Sequence, residues 1–251
     1  MKNASRLEAL AAILVARDQG WIDPVACGGS FSELRDKMDV HFVDSDILEA
    51  RQEALRLIEE GEAEALLDTG PLDRKFFSLL IESDAQIESH LLSYVSVFMA
   101  PKNARLTLLT DTLINSAPGL NEKVHIVENA IRVAKDLRID RPNIAALGPL
   151  ELVNPSIPST LDAAILSKMS ERKQFGDALI EGPLGMDNAE SVLAARHKGI
   201  DSPVPGDVDI YLFPDLESAN ITAQFLGCLG SCQLGGVLAG TKLPIIIRSS
   251  L

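Results

Sequence analysis

The chain has 251 residues, of which 46% are hydrophobic and 24% are charged, a balance that excludes intrinsic disorder as the main state. Aromatic residues are scarce at 1 Trp, 2 Tyr and 8 Phe, which indicates an aliphatic core of the kind found in parallel-sheet α/β proteins. With 23 basic and 36 acidic residues the net charge is −13, a field that repels phosphodiester backbones and argues against a nucleic-acid binder.

Helical and strand-like patterns alternate along the first half of the chain. Asp46 and Glu49 have the spacing of a capping box at the start of the clearest helix, which Gly61 ends. In chain order, the predicted elements are a helix over 7–17, a strand over 22–27, a helix from Asp46 to Gly61, a strand over 64–67, two strands over 94–99 and 106–109 joined by a hairpin or short crossover, and a helix over 121–136.

The second half shows the same alternation. It predicts strands over 144–147, 177–180 and 208–213, helices that begin at Ser159 and at Pro214, and extended runs over 237–238 and 244–247. We expect Gly182-Pro183 to stop the strand that precedes it. Short apolar strands alternating with helices predict a parallel sheet covered on both faces, a three-layer α/β/α fold.

A proline suggests where two lobes would meet. Pro142 keeps Arg141 out of a helix, so we place a hinge there. The predicted domains are an N-terminal α/β lobe over 1–140 and a C-terminal α/β lobe over 141–251, with the last strand allowed to return to the first lobe.

Cysteine usage and the N-terminus bear on location. Cys27, Cys228 and Cys232 cannot all pair and form no Cys-x-x-Cys motif, which is typical of a reducing compartment. The first residues develop no signal-peptide core, and the apolar runs fall short of the roughly 20 residues that span a bilayer. We therefore predict a cytoplasmic protein without a membrane partner.

Several common site types lack their motifs. The four histidines are isolated, so no single element offers a metal-binding pair. The stretch GGVLAGTK (235–242) is a near miss for a phosphate-binding P-loop, but its threonine precedes its lysine. The sequence also has neither a Gly-x-Ser-x-Gly elbow nor a Gly-x-Gly-x-x-Gly turn, which removes the anchors of serine hydrolases and dinucleotide oxidoreductases.

Polar side chains instead gather just after the predicted strands. Parallel α/β sheets bind ligands at the carboxyl edge, where helix N-termini offer free N–H groups to anions. The competing interpretation is that such residues are simply good helix caps. The candidate substrate-binding residues, which include a threonine near the last strand, are Asp111, Asn115, Asn154, Ser159, Thr160, Glu181, Asp187, Asn220 and Thr241.

Long collinear stretches at this same edge resemble a known family. They read LLTDTLINSAPGLNEKVHIVENAI (108–131), GPLELVNPSIPSTLDAAILSKMSER (148–172), ALIEGPLGMDNA (178–189), HKGI (197–200), GDVDIYLFPDLESAN (206–220) and GGVLAGTKLPIII (235–247), with LLSYVSVF (91–98) a looser match. On these motifs the chain resembles the phosphate acetyltransferase/phosphate butyryltransferase family, most of all its butyryltransferase branch.

The resemblance implies a fold and a reaction. The fold is α/β/α of the isocitrate/isopropylmalate dehydrogenase type, with two lobes and a cleft between them. The reaction converts a short-chain or branched acyl-CoA and inorganic phosphate into acyl phosphate and CoA. Coenzyme A and phosphate are thus expected as substrates rather than as bound cofactors, no metal is expected, and a homodimer or higher homo-oligomer is implied.

The chain departs from the family pattern at chemically important positions. Ser249 matches the family serine, and we take Ser249 and Arg248 as candidate catalytic residues, although Arg248 comes one position early for the family arginine. Ser250 stands at the arginine position, and the aspartate expected as the base would fall beyond Leu251. Other cationic groups of the family are replaced at Thr69-Gly70 and at 87–90. We therefore expect slow or absent turnover for the chain as printed.

Three hypotheses stay open on the sequence alone. The first is an acyltransferase of this family. The second is a catalytically weak or inactive homologue that binds CoA, acyl phosphate or another phosphorylated metabolite, which would explain the lost charges. The third is a related protein acting on a different phosphorylated or pterin-linked substrate. An assay of CoA consumption with acyl phosphates separates the first two.

Overall fold

The computed structural model describes residues 11–28, 39–41, 46–70, 73–83, 89–100, 104–230 and 232–247. Contacts divide the chain into two compact units. Unit 1 is Met1–Glu88 with Lys242–Arg248, and unit 2 is Ser89–Thr241 with Ser249–Leu251. Each unit is α/β in content, so the predicted α/β class is confirmed. The arrangement in two lobes with a cleft between them stays a prediction.

Unit 1 contains two short parallel strand pairs with helices between them. Residues 11–18 are helical (α1), β1 (Val25–Cys27) pairs with β2 (Asp39–His41), and β3 (Leu66–Asp68) pairs with β10 (Ile245–Ile247). Helices α2 (Ile47–Glu59) and α3 (Arg74–Glu82) flank β3 in the chain. The predicted start of α2 is confirmed, because the Asp46 carboxylate accepts hydrogen bonds from the amides of Leu48 and Glu49.

A buried arginine ties these elements of unit 1 together. Arg51 of α2 and Asp68 at the end of β3 are almost fully buried and lie 2.7 Å apart, Nη2 to Oδ2. The same guanidinium packs 4.7 Å from the centre of the Phe76 ring and pairs with Asp73 at the start of α3. This network therefore joins the end of β3 to helices α2 and α3.

Unit 2 is built on a six-stranded mixed sheet. Its strands are β4 (Ser93–Ala100), β5 (Arg105–Thr110), β6 (Asn143–Leu147), β7 (Leu179–Leu184), β8 (Ile210–Leu212) and β9 (Leu234–Ala239), in the order β9-β4-β5-β8-β6-β7. Strand β4 is antiparallel to β5 and β9, while the pairs from β5 to β7 are parallel. The sequence predicted a parallel sheet but left a hairpin or a short crossover open between β4 and β5; the hairpin is confirmed, because the four residues between these strands are too few for a parallel crossover.

Helices cover both faces of this sheet. They are α4 (Leu120–Asp136), α5 (Pro158–Glu171), α6 (Met186–Glu190), α7 (Val192–His197) and α8 (Leu216–Cys228). One core cluster joins Leu108, Ile144 and Ile210 to apolar residues of α4 and α5, and the other joins the next residue of each strand to residues of α6 and α8. This alternation follows from the two-residue period of a strand.

Strand β7 runs further than we expected. It continues through Gly182 and Pro183 to Leu184, whereas the sequence suggested that these two residues would stop it. As the edge strand of the unit 2 sheet, β7 tolerates a proline without an N–H group. A Cβ at Gly182 would lie 2.7 Å from the Cβ of Ala146 on the neighbouring strand, so glycine permits this close pairing.

The boundary that we predicted between residues 140 and 141 lies inside unit 2. Strand β8 pairs with β5, which precedes that boundary, and with β6, which follows it, so one sheet continues across Arg141 and Pro142. Contacts instead separate the units between residues 88 and 89 and between 241 and 242. Among the described helices, none has the length and apolar character needed to cross a membrane.

Candidate functional site

An open cleft of about 790 Å³ lies at the carboxyl edge of the unit 2 sheet. Its lining comes from the loop after β5 (117–120), the end of β6 (147–149), the first turns of α5 and the segment after β8 (213–215). In parallel α/β sheets this edge is where ligands bind, because strands end and helices begin there. The cleft is therefore the candidate site within the described part of the chain.

Four helices begin at this cleft, of which α6 has only five residues, and the N-termini of the other three differ. At the start of α4, Glu122 Oε2 accepts a hydrogen bond from the Gly119 amide at 2.7 Å. The first turn of α8 is capped by Asp215, which accepts from the Ser218 amide at 2.8 Å. Helix α5 has no side-chain cap and begins with Pro158. Pro158 has no N–H group and the Thr160 amide donates to the Ile157 carbonyl, so the Ser159 amide is the first-turn donor of α5 that a ligand could use.

One buried ion pair lies in the cleft wall. Lys123 of α4 donates from Nζ to Asp162 Oδ2 of α5 at 2.6 Å. The lysine side chain is 6% exposed and the aspartate 19%. This pair places a cation beside the uncapped start of α5, an arrangement that favours an anion.

The rest of the lining is largely apolar. Leu147, Met186 and Phe213 contribute side chains, and Pro149 and Pro158 add ring surface. Such a wall can accept a small hydrocarbon chain beside the polar groups. The cleft can therefore hold a ligand with an anionic end and an apolar end.

Of the nine predicted substrate-binding residues, Ser159 lies in this lining. It occupies the second position of α5 and is half-buried. The other eight lie within the described chain but outside the lining, and the structure gives several of them backbone partners.

Asp111 and Asn115 organise the loop after β5. The buried Asp111 carboxylate accepts hydrogen bonds from the amides of Tyr94, Leu113, Ile114 and Asn115, and from Asn115 Nδ2. Asn115 also donates to the Leu92 carbonyl at 2.8 Å. These contacts explain both residues as supports of the loop that leads to α4.

Asn154 and Thr160 hold the turn before α5. Thr160 is fully buried, and its Oγ1 accepts from the Asn154 amide at 2.9 Å. The Asn154 Oδ1 atom accepts from the Ser156 amide at 2.9 Å. The pair thus shapes the chain that delivers Ser159 to the cleft.

Asn220 and Thr241 also contact backbone. Asn220 of α8 donates to the Thr112 carbonyl at 3.0 Å, which brings it near the loop held by Asp111. Thr241 follows β9 and its hydroxyl donates to the Leu238 carbonyl. Glu181 lies within β7 rather than after it, because that strand extends to Leu184.

Asp187 belongs to an ion-pair cluster beside the cleft. Lys198 donates to Asp187 Oδ2 at 3.1 Å and to Glu151 Oε2 at 3.3 Å. The hydrogen bond from Lys198 lowers the pKa of Asp187 and, in turn, Asp187 raises the pKa of Lys198. The pKa of Glu151 is lowered by its own backbone amide and then by Lys198. This cluster links the loop after β6 to the end of α7.

The candidate catalytic residues Arg248 and Ser249 lie outside the described residues. Sequence reasoning did not identify Lys123 and Asp162. The signal for Lys123 was its helical spacing to Ile126, Val127 and Ala130, which puts a charge on the buried face of α4. Within the described ranges, no three His, Cys, Asp or Glu side chains come together as a metal site.

Comparison with known proteins identifies the family. The model of the family described as phosphate acetyl/butaryl transferase matches residues 31–250. Phosphate butyryltransferase of Clostridium acetobutylicum is 36% identical over 205 residues, covering 81% of this chain and 68% of that protein. Phosphate acetyltransferase of Thermotoga maritima is 35% identical over 205 residues, covering 80% and 69%.

A solved structure agrees with the sequence matches. The crystal structure of a branched-chain phosphotransacylase from Enterococcus faecalis superposes with a TM-score of 0.76 at 29% identity, covering 90% of this chain and 91% of that one. The resemblance stated on the sequence motifs is thereby confirmed. The chain belongs to the phosphate acetyl/butyryltransferase family and is an enzyme of the phosphate acyltransferase type.

Proposed function

We propose that this enzyme transfers a short-chain or branched acyl group between CoA and phosphate, and that the acyl and phosphoryl groups bind in the cleft of unit 2. The observation that carries the proposal is the pairing of an apolar wall with a buried cation and an uncapped helix start in one cleft. A short acyl chain would contact Leu147, Met186 and Phe213, while anionic oxygens would face Lys123 and Ser159.

The reaction needs no oxidant or metal. An oxygen of hydrogen phosphate attacks the thioester carbonyl carbon, a C–O bond forms and the C–S bond breaks. The departing sulfur takes the proton that phosphate loses, giving acyl phosphate and CoA. Donors placed at the carbonyl oxygen and at the phosphoryl oxygens would stabilise the charge that develops in the transition state.

Ser249 and Arg248 remain the proposed catalytic residues, as the family resemblance implies. The two-lobed arrangement and a homo-oligomer remain predictions on the same ground, and a cytoplasmic location remains a prediction from cysteine usage. A Ser249→Ala variant should lower turnover by about 10²–10³ if the serine donates to the developing oxyanion. An unchanged rate in this variant would remove Ser249 from the proposed mechanism.

The proposal is tested by CoA release from acetyl-, butyryl- and isobutyryl-CoA, each with and without inorganic phosphate. We expect phosphate-dependent release, faster with the four-carbon acyl groups than with acetyl. The same assay tests the expectation of slow turnover, which rests on Ser250 at the arginine position. If no acyl group supports phosphate-dependent release, the proposed function is wrong, and the two other hypotheses drawn from the sequence, a binding homologue and a protein with a different phosphorylated substrate, remain.

A further inference from the structure

Lys123 is a buried cation whose protein contacts leave it incompletely satisfied. An ammonium group has three N–H donors. Within the residues that the structure describes, Asp162 Oδ2 is its one hydrogen-bond acceptor, at 2.6 Å. Because Lys123 also lines the cleft, a second acceptor for its remaining N–H donors can enter from there.

The location of Lys123 within its helix strengthens this argument. It occupies the first turns of α4, which starts at Leu120. The positive end of the helix dipole disfavours a cation there and favours an anion. A negatively charged group bound in front of Lys123 would offset both the dipole and the lysine charge.

Unused donors of α5 lie beside the same lysine. Ser159 and Lys123, together with Asp162, line both the cleft and a small hollow of about 10 Å³. No side chain caps α5, and the Thr160 amide donates back to the Ile157 carbonyl. The Ser159 amide and hydroxyl have no acceptor in the described part of the chain, so they can donate to the same incoming group.

We propose that Lys123 and Ser159 form an anion subsite that binds a phosphate group, with Asp162 holding the lysine ammonium at the cleft wall. This inference rests on the proposed function and specifies how its phosphate group is bound. The shared chemistry is a tetrahedral phosphate with at least two free oxygens, one for the ammonium and one for the α5 amide. Inorganic phosphate and the phosphates of CoA both provide it.

Asp162 is a positioning residue in this account. Its carboxylate compensates the lysine charge in the free protein and lies close to the bound phosphate. Asp162→Asn keeps an oxygen acceptor for Nζ and removes a negative charge. Phosphate affinity in this variant should therefore be at least as tight as in the unaltered chain, and a tighter affinity is a response that a merely structural role would not give.

The test uses the full chain and four variants. Lys123→Met/Asp162→Asn removes the lysine charge without leaving an unpaired carboxylate, and Asp162→Asn is its reference. Lys123→Arg keeps the charge, and Lys135→Met removes an exposed lysine from the last turn of the same helix. Steady-state KM is measured for inorganic phosphate, for butyryl-CoA and for butyryl-pantetheine, and the Kd of inorganic phosphate is measured by calorimetry.

We expect the double variant to raise the KM and Kd for inorganic phosphate by about tenfold or more, with a smaller loss in Lys123→Arg and with Lys135→Met within about threefold of the unaltered chain. A rise in the KM for butyryl-CoA that is absent for butyryl-pantetheine would also support the subsite, with a CoA phosphate as its occupant. Unchanged constants in the double variant would overturn the proposal, as would an equal loss in Asp162→Asn alone.

The calorimetric arm separates the two proposals. If the unaltered chain shows no acyl transfer but binds inorganic phosphate, and the double variant loses that binding, the proposed function fails while the subsite stands. If the unaltered chain turns over butyryl-CoA and the double variant matches Asp162→Asn in every constant, the function stands and the subsite fails. Absence of phosphate binding in the unaltered chain counts against the subsite in either case.

Discussion

In the unit 2 sheet, the amino ends and the carboxyl ends of the parallel strands (the amino edge and the carboxyl edge) carry similar charged residues, but these residues make different contacts. At the amino edge, Arg105 at the start of β5 donates to both Asp207 and Asp209. Asp209 also accepts from the Asn143 amide at the start of β6, at 2.8 Å. At the carboxyl edge, Lys123 has a single described acceptor in Asp162.

This difference distinguishes polar groups that stabilise the fold from polar groups that are available to a ligand. The amino-edge groups satisfy one another and join the starts of three neighbouring strands. The carboxyl-edge groups leave ammonium and amide donors facing a cleft of about 790 Å³. The same residue types thus stabilise the fold at one edge and are available for binding at the other, and the predictions below test that contrast.

The largest effect on stability is expected at the amino edge. Asp209→Ala removes the buried carboxylate that pairs with Arg105 and accepts from the Asn143 amide, and should cost about 2–3 kcal/mol of unfolding free energy. Asp207→Ala, which also removes one carboxylate from Arg105 but from an exposed position, should cost under about 1 kcal/mol. Urea unfolding measures both. If the two variants lost the same unfolding free energy, burial would not explain the different contributions of Asp209 and Asp207.

The next effect concerns Asp111, which the sequence placed in the substrate site. Asp111→Asn puts an NH₂ group where two or three N–H donors now point, and should cost about 1–3 kcal/mol of unfolding free energy. Asp215→Asn is the matched control, because asparagine caps a helix as well as aspartate does. If Asp111→Asn raised the KM and left the unfolding free energy unchanged, Asp111 would be a substrate-binding residue, as the sequence predicted.

The smallest effect is a pH dependence at the exposed Lys198 cluster. The pKa of Asp187 lies below its ordinary value of 3.8, so its stabilising contribution is fully present above that pH and is lost as pH falls through the lowered value. Lys198 has a raised pKa, so its contribution persists up to its ordinary value of 10.5.

The unfolding free energies of Lys198→Met and the unaltered chain, measured as a function of pH, check this prediction. Their difference should stay constant from about pH 5 to pH 10 and shrink in more acidic solution. Lys168→Met, which breaks an exposed pair with Glu171 within α5, is the control. A difference that changes between pH 6 and pH 8 would contradict the assignment.

Local patterns predicted most of the fold. The Asp46 cap, the α4 periodicity and the apolar strands β6 and β8 all depend on neighbouring residues, and the structure confirms them. The direction of β4 and the full length of β7 depend on pairing with strands elsewhere in the chain. The residue pattern within one segment does not show which other strand that segment pairs with.

The site was harder to predict for the same reason. Aspartate, asparagine and serine serve equally as ligand-binding residues and as acceptors for loop amides. Asp111 and Asn154 proved to have backbone partners, whereas Ser159 faces the cleft. The role of Lys123 depends on its contact with Asp162, which lies 39 residues further along the chain. That contact exists only in the folded protein.

The central claim, that the uncapped start of α5 receives the phosphate group, is tested most directly by Ser159→Asp. A carboxylate at the second position of a helix suits the helix dipole, so the fold should hold, but it would repel an incoming phosphate. Asn121→Asp adds the same charge at the second position of α4, where the side chain is exposed and outside the cleft lining.

The measurement is phosphate-dependent CoA release from butyryl-CoA by the unaltered chain and these two variants, with thermal unfolding as the check on folding. The account predicts that Ser159→Asp lowers kcat/KM for phosphate by about 100-fold or more without lowering Tm, while Asn121→Asp stays within about threefold of the unaltered chain. Equal activity in Ser159→Asp and the unaltered chain would contradict it.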